Sequence, residues 1–198
     1  MNETGTIRAF IALPISEEVK ARMAGVQAEL RHTLPTARVR WTPQEQLHLT
    51  LRFLGDVEAQ RLPSLGEAVA AACKPFAPVR LRAARLGCFP NARRPRVIWA
   101  GLEDSSGQLL ALQRAIQAAT QAFITEAPEP KFAGHVTLGR IKAIERKETA
   151  ALARALAEAA ETSWGEWAAD HVEIFRSDLF TERAVHVRVA TLGLISEL

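Results

Sequence analysis

The chain has 198 residues, 48% of them hydrophobic and 24% charged, and a net charge of +3. Such a length buries a substantial core as one globular unit, and the balance is that of an ordinary soluble protein. No apolar run approaches the roughly 20 residues that cross a bilayer, and "MNETGTIRAF" lacks a basic segment followed by an apolar one, so an unanchored, cytoplasmic protein is expected.

"IRAFIALP" alternates weakly and stops at a proline, as a half-buried strand does. Ser16 then opens "SEEVKARMAGVQAELRH", where Val19, Met23, Val26 and Leu30 fall at helical spacing behind a capping residue. "VRWTPQEQLHLTLRFLGD" predicts two strand pieces separated by a turn at Pro43 and ended by the breaker pair Gly55 and Asp56. "RLPSLGEAVAAAC" predicts a second helix, "PVRLRAARLG" a strand, "CFPNARRP" a loop and "RVIWAGL" another strand. "SSGQLLALQRAIQAATQAFI" is rich in helix formers. "HVTLGRI" is strand-like, "RKETAALARALAEAAE" is an amphipathic helix, and "ADHVEIFRSDL" with "AVHVRVATLGL" closes the chain as a strand pair. Strands and helices alternate throughout, so an α/β or α+β domain is expected.

Only five histidines are present, and two share one frame: "HLTL" at residues 48–51 and "HVTL" at 135–138. Successive side chains of a strand point to opposite faces, so His48, Thr50 and Arg52 are expected on one face and Leu49, Leu51 and Phe53 on the other. His135 and Thr137 likewise share a face opposite Val136 and Leu138. Each motif presents an imidazole and a hydroxyl about 7 Å apart. If two related halves bring these faces together, the cleft holds an acid or base on either side and two donors for phosphate oxygens, without a metal. Acyl transfer fits less well, since no Gly-x-Ser-x-Gly elbow appears, and no carboxylate accompanies the histidines at metal-ligand spacing. His32, His171 and His186 lack the frame and are expected at the surface or locally satisfied. Cys73 and Cys88 are not in a redox or zinc pattern and read as buried free thiols. Twenty arginines against five lysines are compatible with a polyanionic ligand, but a biased genome is the favoured explanation, so no single surface arginine is evidence by itself.

Taken together, "RAFIALPISEEVK", "LHLTLRFLGDV", "GCFPNARRPRVIWAGL" and "HVTLGRI" resemble the two-histidine phosphoesterase superfamily, in its RNA 2′,3′-cyclic phosphodiesterase (2′-5′ RNA ligase-like) branch. The resemblance spans nearly the whole chain. It implies a single bilobed domain over residues 1–198, with two pseudo-symmetric lobes, mainly antiparallel sheets lining a central cleft, and helices outside. It implies metal-independent opening of a 2′,3′-cyclic phosphate at an RNA 3′ end to a 2′-phosphate, with no cofactor, in a monomer. His48 would be the general acid, His135 the general base, and Thr50, Thr137 and Arg140 the phosphate holders. Phe53 would stack on the terminal base, although plain alternation puts both Phe53 and Arg140 on the face opposite their histidines. Arg52 and the loop residues Arg93, Arg94 and Arg96 are further candidates for RNA contact, the loop reading equally well as solvated. Gly134 stands where the family often has proline, and His186 where it commonly has tyrosine. A sister activity, 2′-5′ ligation or cleavage of another cyclic or 2′-5′-linked nucleotide, and a non-catalytic RNA-end-binding module remain alternatives.

Overall fold

The first apolar segment forms β1 (Thr6–Leu13), and α1 (Glu17–Thr33) follows because Ser16 accepts a hydrogen bond from the Val19 amide at 3.4 Å, as an N-cap does. Glu17 and Glu18 in its first turn and Arg31 and His32 in its last complement the helix dipole. There follow β2 (Arg38–Trp41), β3 (Leu49–Glu58), α2 (Leu62–Cys73), β4 (Val79–Phe89), β5 (Val97–Asp104) and α3 (Gln108–Ala119). The chain continues with β6 (His135–Ala143), α4 (Arg146–Glu158), β7 (Ser163–Ala169), β8 (His171–Leu179) and β9 (Ala184–Gly193). This computed structural model describes residues 5–124, 132–179 and 184–195; residues 1–4, the start of the segment read for a leader, lie outside the described residues.

All strand pairings are antiparallel, and they build one curled nine-stranded sheet in the order β7-β4-β5-β6-β3-β1-β8-β9, with β2 paired to β6. The fold is therefore α+β, and the two expected lobes are the two ends of one continuous sheet. They meet where Leu49 of β3 pairs with Val136 of β6, both fully buried. Outward from this junction the order reads alike in both directions: a His-x-Thr-Leu strand, the strand that opens that half (β1 or β5), then a strand exchanged from the other half (β8 or β4).

Each end of the sheet has its own core. Leu65 and Val69 of α2 and Leu109, Leu112 and Ile116 of α3 cover the β1–β3 end, packing on Ile11, Leu49 and Ile174. Val19, Met23 and Leu30 of α1 and Leu152 of α4 cover the other end, against Ile98, Val136 and Leu138. Burying each such side chain contributes about 1.5–3 kcal/mol, which is what holds the outer helices to the sheet. No helix among the described residues is long and apolar enough to cross a membrane.

Two elements depart from the sequence reading. The breaker pair Gly55 and Asp56 does not end its strand, because Gly55 adopts φ 68° beside a register shift opposite Ala9 and Phe10, and β3 runs on to Glu58. The strand β7, within "SWGEWAA", was not anticipated; its seven residues are flanked by Ala- and Glu-rich helix formers and broken by Gly165. Cys73 is a buried free thiol as expected and burial pushes it up to about 11, whereas Cys88 is only half-buried.

Candidate active site

His48 ends the approach to β3 and His135 opens β6, on either side of the central pair. The antiparallel pairing of Leu49 with Val136 brings the two motifs side by side at the centre of the sheet, running in opposite directions. The two rings are anchored in the same way. His48 Nδ1 lies 2.7 Å from the Gln46 carbonyl and His135 Nδ1 lies 2.7 Å from the Ala133 carbonyl, in each case two residues back. A carbonyl accepts only from N–H, so this contact places the proton on Nδ1 of the neutral ring and leaves Nε2 for the cleft. Thr50 Oγ1, 3.1 Å from His48 Nε2, then donates to it.

A matched irregularity follows each motif. In β3 the register passes from Thr50 opposite Ala12 to Arg52 opposite Ile11, leaving Leu51 as an extra residue; in β6 it passes from Thr137 opposite Trp99 to Gly139 opposite Ile98, leaving Leu138 extra. Such a bulge puts two successive residues on one side and inverts the alternation beyond it. Leu51 and Arg52 both turn inward, and Phe53 comes to the face of His48 and Thr50, 54% exposed. Arg140 comes to the face of His135 and Thr137 by the same device, since its partner Val97 shares a face of β5 with Trp99, the partner of Thr137. Phe53 and Arg140 thus line the cleft, against simple alternation.

Arg52 is the converse correction. Expected on the His48 face as an RNA contact, it is 7% exposed and turned to the helix side, where its guanidinium donates to the Gln117 carbonyl and, at 3.0 Å, to Gln121 Oε1. Gln117 lies in the last turn of α3, so Arg52 satisfies an open carbonyl at a helix C-terminus.

Aromatic rings that the sequence reading did not single out pack around the histidines. Phe10 of β1 stacks on His48 with centroids 4.8 Å apart, and Phe175 of β8 lies 5.1 Å from Phe10. At the other motif Phe89 of β4 stands edge-on to His135 at 5.0 Å, with Trp99 of β5 at 6.4 Å. The four rings come from corresponding strands of the two ends. For Phe10 and Trp99 the signal was parity: in "RAFIAL" and "RVIWAGL" the aromatic alternates with the smaller core residues on either side of it.

His186 of β9 is a further correction. Rather than being at the surface or locally satisfied, it stands edge-on to Phe10 at 4.9 Å and to His48 at 5.6 Å, and its buried Nδ1 has no hydrogen-bond partner among the described residues. It lines a small cavity beside His48 with Lys20, Glu45 and Glu173. Burial lowers the His186 pKa, aided by the charge of Arg40. Burial likewise pushes His48 down to about 4, opposed by the hydrogen bond to the Gln46 carbonyl and reinforced by His186, Lys20 and His135. His32 and His171 are locally satisfied as expected, by the Ala28 carbonyl and by Asp170.

The remaining candidates lie at one rim. Arg93, Arg94 and Arg96 are exposed on a turn held by Asn91, whose Oδ1 accepts from the Arg93 and Arg94 amides at 3.1 and 3.2 Å. The Arg96 carbonyl accepts from the Ile141 amide at 2.8 Å, which ties this turn to β6 just beyond Arg140. Gly134 leaves room for the neighbouring helix, since a Cβ there would lie 3.2 Å from Leu109 Cδ2. Among the described residues no group of three or more His, Cys, Asp or Glu side chains is placed to hold a metal ion.

Two imidazoles with matched anchors, each beside a threonine, on the central strands of an antiparallel α+β sheet, are the constellation of a two-histidine phosphoesterase. The chain belongs to the LigT-like phosphoesterase family, whose sequence profile matches it twice, over residues 13–99 and 101–186. It is 29% identical over 175 residues to the RNA 2′,3′-cyclic phosphodiesterase of Methanothermobacter thermautotrophicus, covering 87% of this chain and 91% of that protein. It is 34% identical over 146 residues to the RNA 2′,3′-cyclic phosphodiesterase of Thermus thermophilus, covering 69% of this chain and 70% of that protein. Among solved structures, TT0787 of Thermus thermophilus superposes with a TM-score of 0.78 at 28% identity, over 95% of this chain and 98% of that one. The fold is shared with E. coli LigT complexed with 3′-AMP, TM-score 0.73 at 22% identity, over 96% of this chain and 98% of that one.

Proposed function

We propose that the protein hydrolyses 2′,3′-cyclic phosphate ends of RNA to 2′-phosphate ends by paired imidazole catalysis that needs no metal. The observation that carries this reading is the matched anchoring of His48 and His135 through Nδ1, which leaves two Nε2 atoms for one cleft. The names of the relatives, RNA 2′,3′-cyclic phosphodiesterases, support the substrate class.

In this reading His135 Nε2 takes a proton from water as its oxygen attacks phosphorus, the P–O3′ bond breaks, and His48 Nε2–H gives its proton to the departing O3′. Thr50, Thr137 and Arg140 hold the non-bridging oxygens, and Phe53 supports the terminal base. The depressed pKa of His48 leaves it neutral in the free protein at pH 7. The acid role therefore requires His48 to gain its proton together with the substrate, whose phosphate charge favours the imidazolium.

Incubation of the protein with a short RNA bearing a 2′,3′-cyclic phosphate, in EDTA, tests the reading through the product end. A 2′-phosphate is expected. A 3′-phosphate would reverse the leaving oxygen, a joined 2′-5′ product would make it a ligase, and binding without turnover would make it an RNA-end-binding module.

A further inference from the structure

Arg40 of β2 stands directly opposite Arg140 of β6. Both side chains lie on the cleft face, because the residues beside them turn the other way. Val39 and Trp41 pack against the core, and a Cβ on Gly139 would meet Val39 Cγ1 at 2.9 Å and Trp41 Cε3 at 3.0 Å.

Directly opposed residues in an antiparallel ladder have Cβ atoms about 5 Å apart, and like charges at that spacing repel. Among the described residues neither guanidinium makes an ion pair with a carboxylate. An anion between them removes the repulsion, and each planar fork suits two phosphate oxygens. The charge of Arg40 also reaches across the cleft, where it contributes to the lowered pKa of His186 on β9. Along β6 the cleft face reads His135, Thr137, Arg140, so the two arginines sit one step beyond the hydroxyl that faces the reacting phosphate. A cyclic 2′,3′-phosphate closes the RNA on its 3′ side. Its sole neighbouring phosphate is the phosphodiester on the 5′ side of the same nucleotide.

We propose that Arg40 forms a second phosphate subsite beside Arg140: Arg140 stays on the reacting phosphate and Arg40 grips the phosphodiester immediately 5′ of the terminal nucleotide, so that the protein favours an RNA chain end over a cyclic mononucleotide. This rests on the phosphodiesterase reading above. The exposed Arg93 and Arg94, on the turn tied to Ile141, extend the same basic rim for phosphates further upstream.

The test compares the wild-type protein with Arg40→Gln on two substrates: a 2′,3′-cyclic mononucleotide, and a trinucleotide ending in the same nucleotide and cyclic phosphate. Arg40 is exposed, so an unchanged melting temperature is the folding control. Loss of one charge-assisted contact is expected to lower kcat/KM on the trinucleotide about tenfold, through KM, with the mononucleotide unaffected. The slope of log KM against log salt should fall by about one for the trinucleotide alone. Equal losses on both substrates, or no loss on either, would overturn the subsite. If the wild type turns over neither substrate, the phosphodiesterase reading fails by itself. Equilibrium binding of the same two ligands then decides the subsite, a selective weakening for the trinucleotide supporting it and equal affinities overturning it.

Discussion

Leu49 and Val136 pair across the centre of the sheet, and the two candidate catalytic histidines are placed by that contact. Each belongs to a different hydrophobic core, so the pair fixes the position of one core against the other. Leu49→Ala is expected to cost about 2–5 kcal/mol of stability, the usual penalty for emptying a packed leucine site. It should also lower kcat even where the variant is fully folded. A folded variant with wild-type kcat would show that the motifs are aligned by something other than this contact.

His48→Ala and His135→Ala should each reduce kcat by about 10²–10⁴-fold while leaving the fold intact, since each removes one proton-transfer step. The roles separate with an aryl phosphodiester whose leaving group needs no proton. His48→Ala should recover much of its activity on that substrate, and His135→Ala should not. Recovery in the opposite variant would exchange the acid and the base.

The low pKa of His48 carries a stability signature. Its folded value near 4 lies below the ordinary 6.5, so the unfolded chain binds more protons between those limits. Stability from this group is intact above about pH 6.5 and is lost as pH falls toward 4, an effect on the order of 3 kcal/mol. His186, also lowered, acts in the same direction. Asp170, lowered chiefly by its hydrogen bond to His171, acts only below the ordinary carboxylate range. Denaturant titrations between pH 6.5 and 4.5 should therefore show a shallower loss for His48→Gln than for the wild type, and parallel curves would refute the assignment. In kinetics, the limb belonging to His48 should lie at higher pH in kcat than in kcat/KM, because the bound phosphate raises it.

Arg52 and Phe53 are neighbours in sequence with opposite duties, and a paired substitution separates them. Arg52→Ala should destabilise the fold by about 1.5–3 kcal/mol, because it leaves the Gln117 carbonyl at the end of α3 without its charged donor. Phe53→Ala should leave the melting temperature nearly unchanged and raise KM. The reverse pattern would mean that the bulge at Leu51 does not invert the strand.

His186→Phe removes a buried nitrogen that has no hydrogen-bond partner among the described residues, and removes one of the charges that lower His48. The melting temperature should hold or rise. The His48 limb of the kcat/KM profile should move upward. A markedly less stable variant with an unmoved limb would assign His186 a purely structural role.

Much of this was legible in the sequence, and what was not has a common cause. Periodicity located the four helices and most strands, and the tandem His-x-Thr-Leu frames located the centre of the site. Alternation, a local rule, failed where β3 and β6 each take in one extra leucine, since a bulge is decided by the partner strand. That is why Arg52 was expected in the cleft and why Phe53 and Arg140 could be placed there only by family resemblance. His186 was missed for a related reason: it has no motif of its own, and its nearness to His48 exists only once β9 is laid beside β8 and β1.

The exchange of β4 and β8 between the ends of the sheet has a further consequence. Each end is woven from both halves of the chain, and α1 and α3 likewise cover the end opposite to the one holding the strand they follow. Neither half therefore encloses a core by itself, although one family profile fits both. Strands and helices cross between the two ends in both directions, so any change in their separation has to bend several connections at once. The width of the cleft is a property of the whole topology, and a chain cut between its two repeats should lose its shape together with its chemistry.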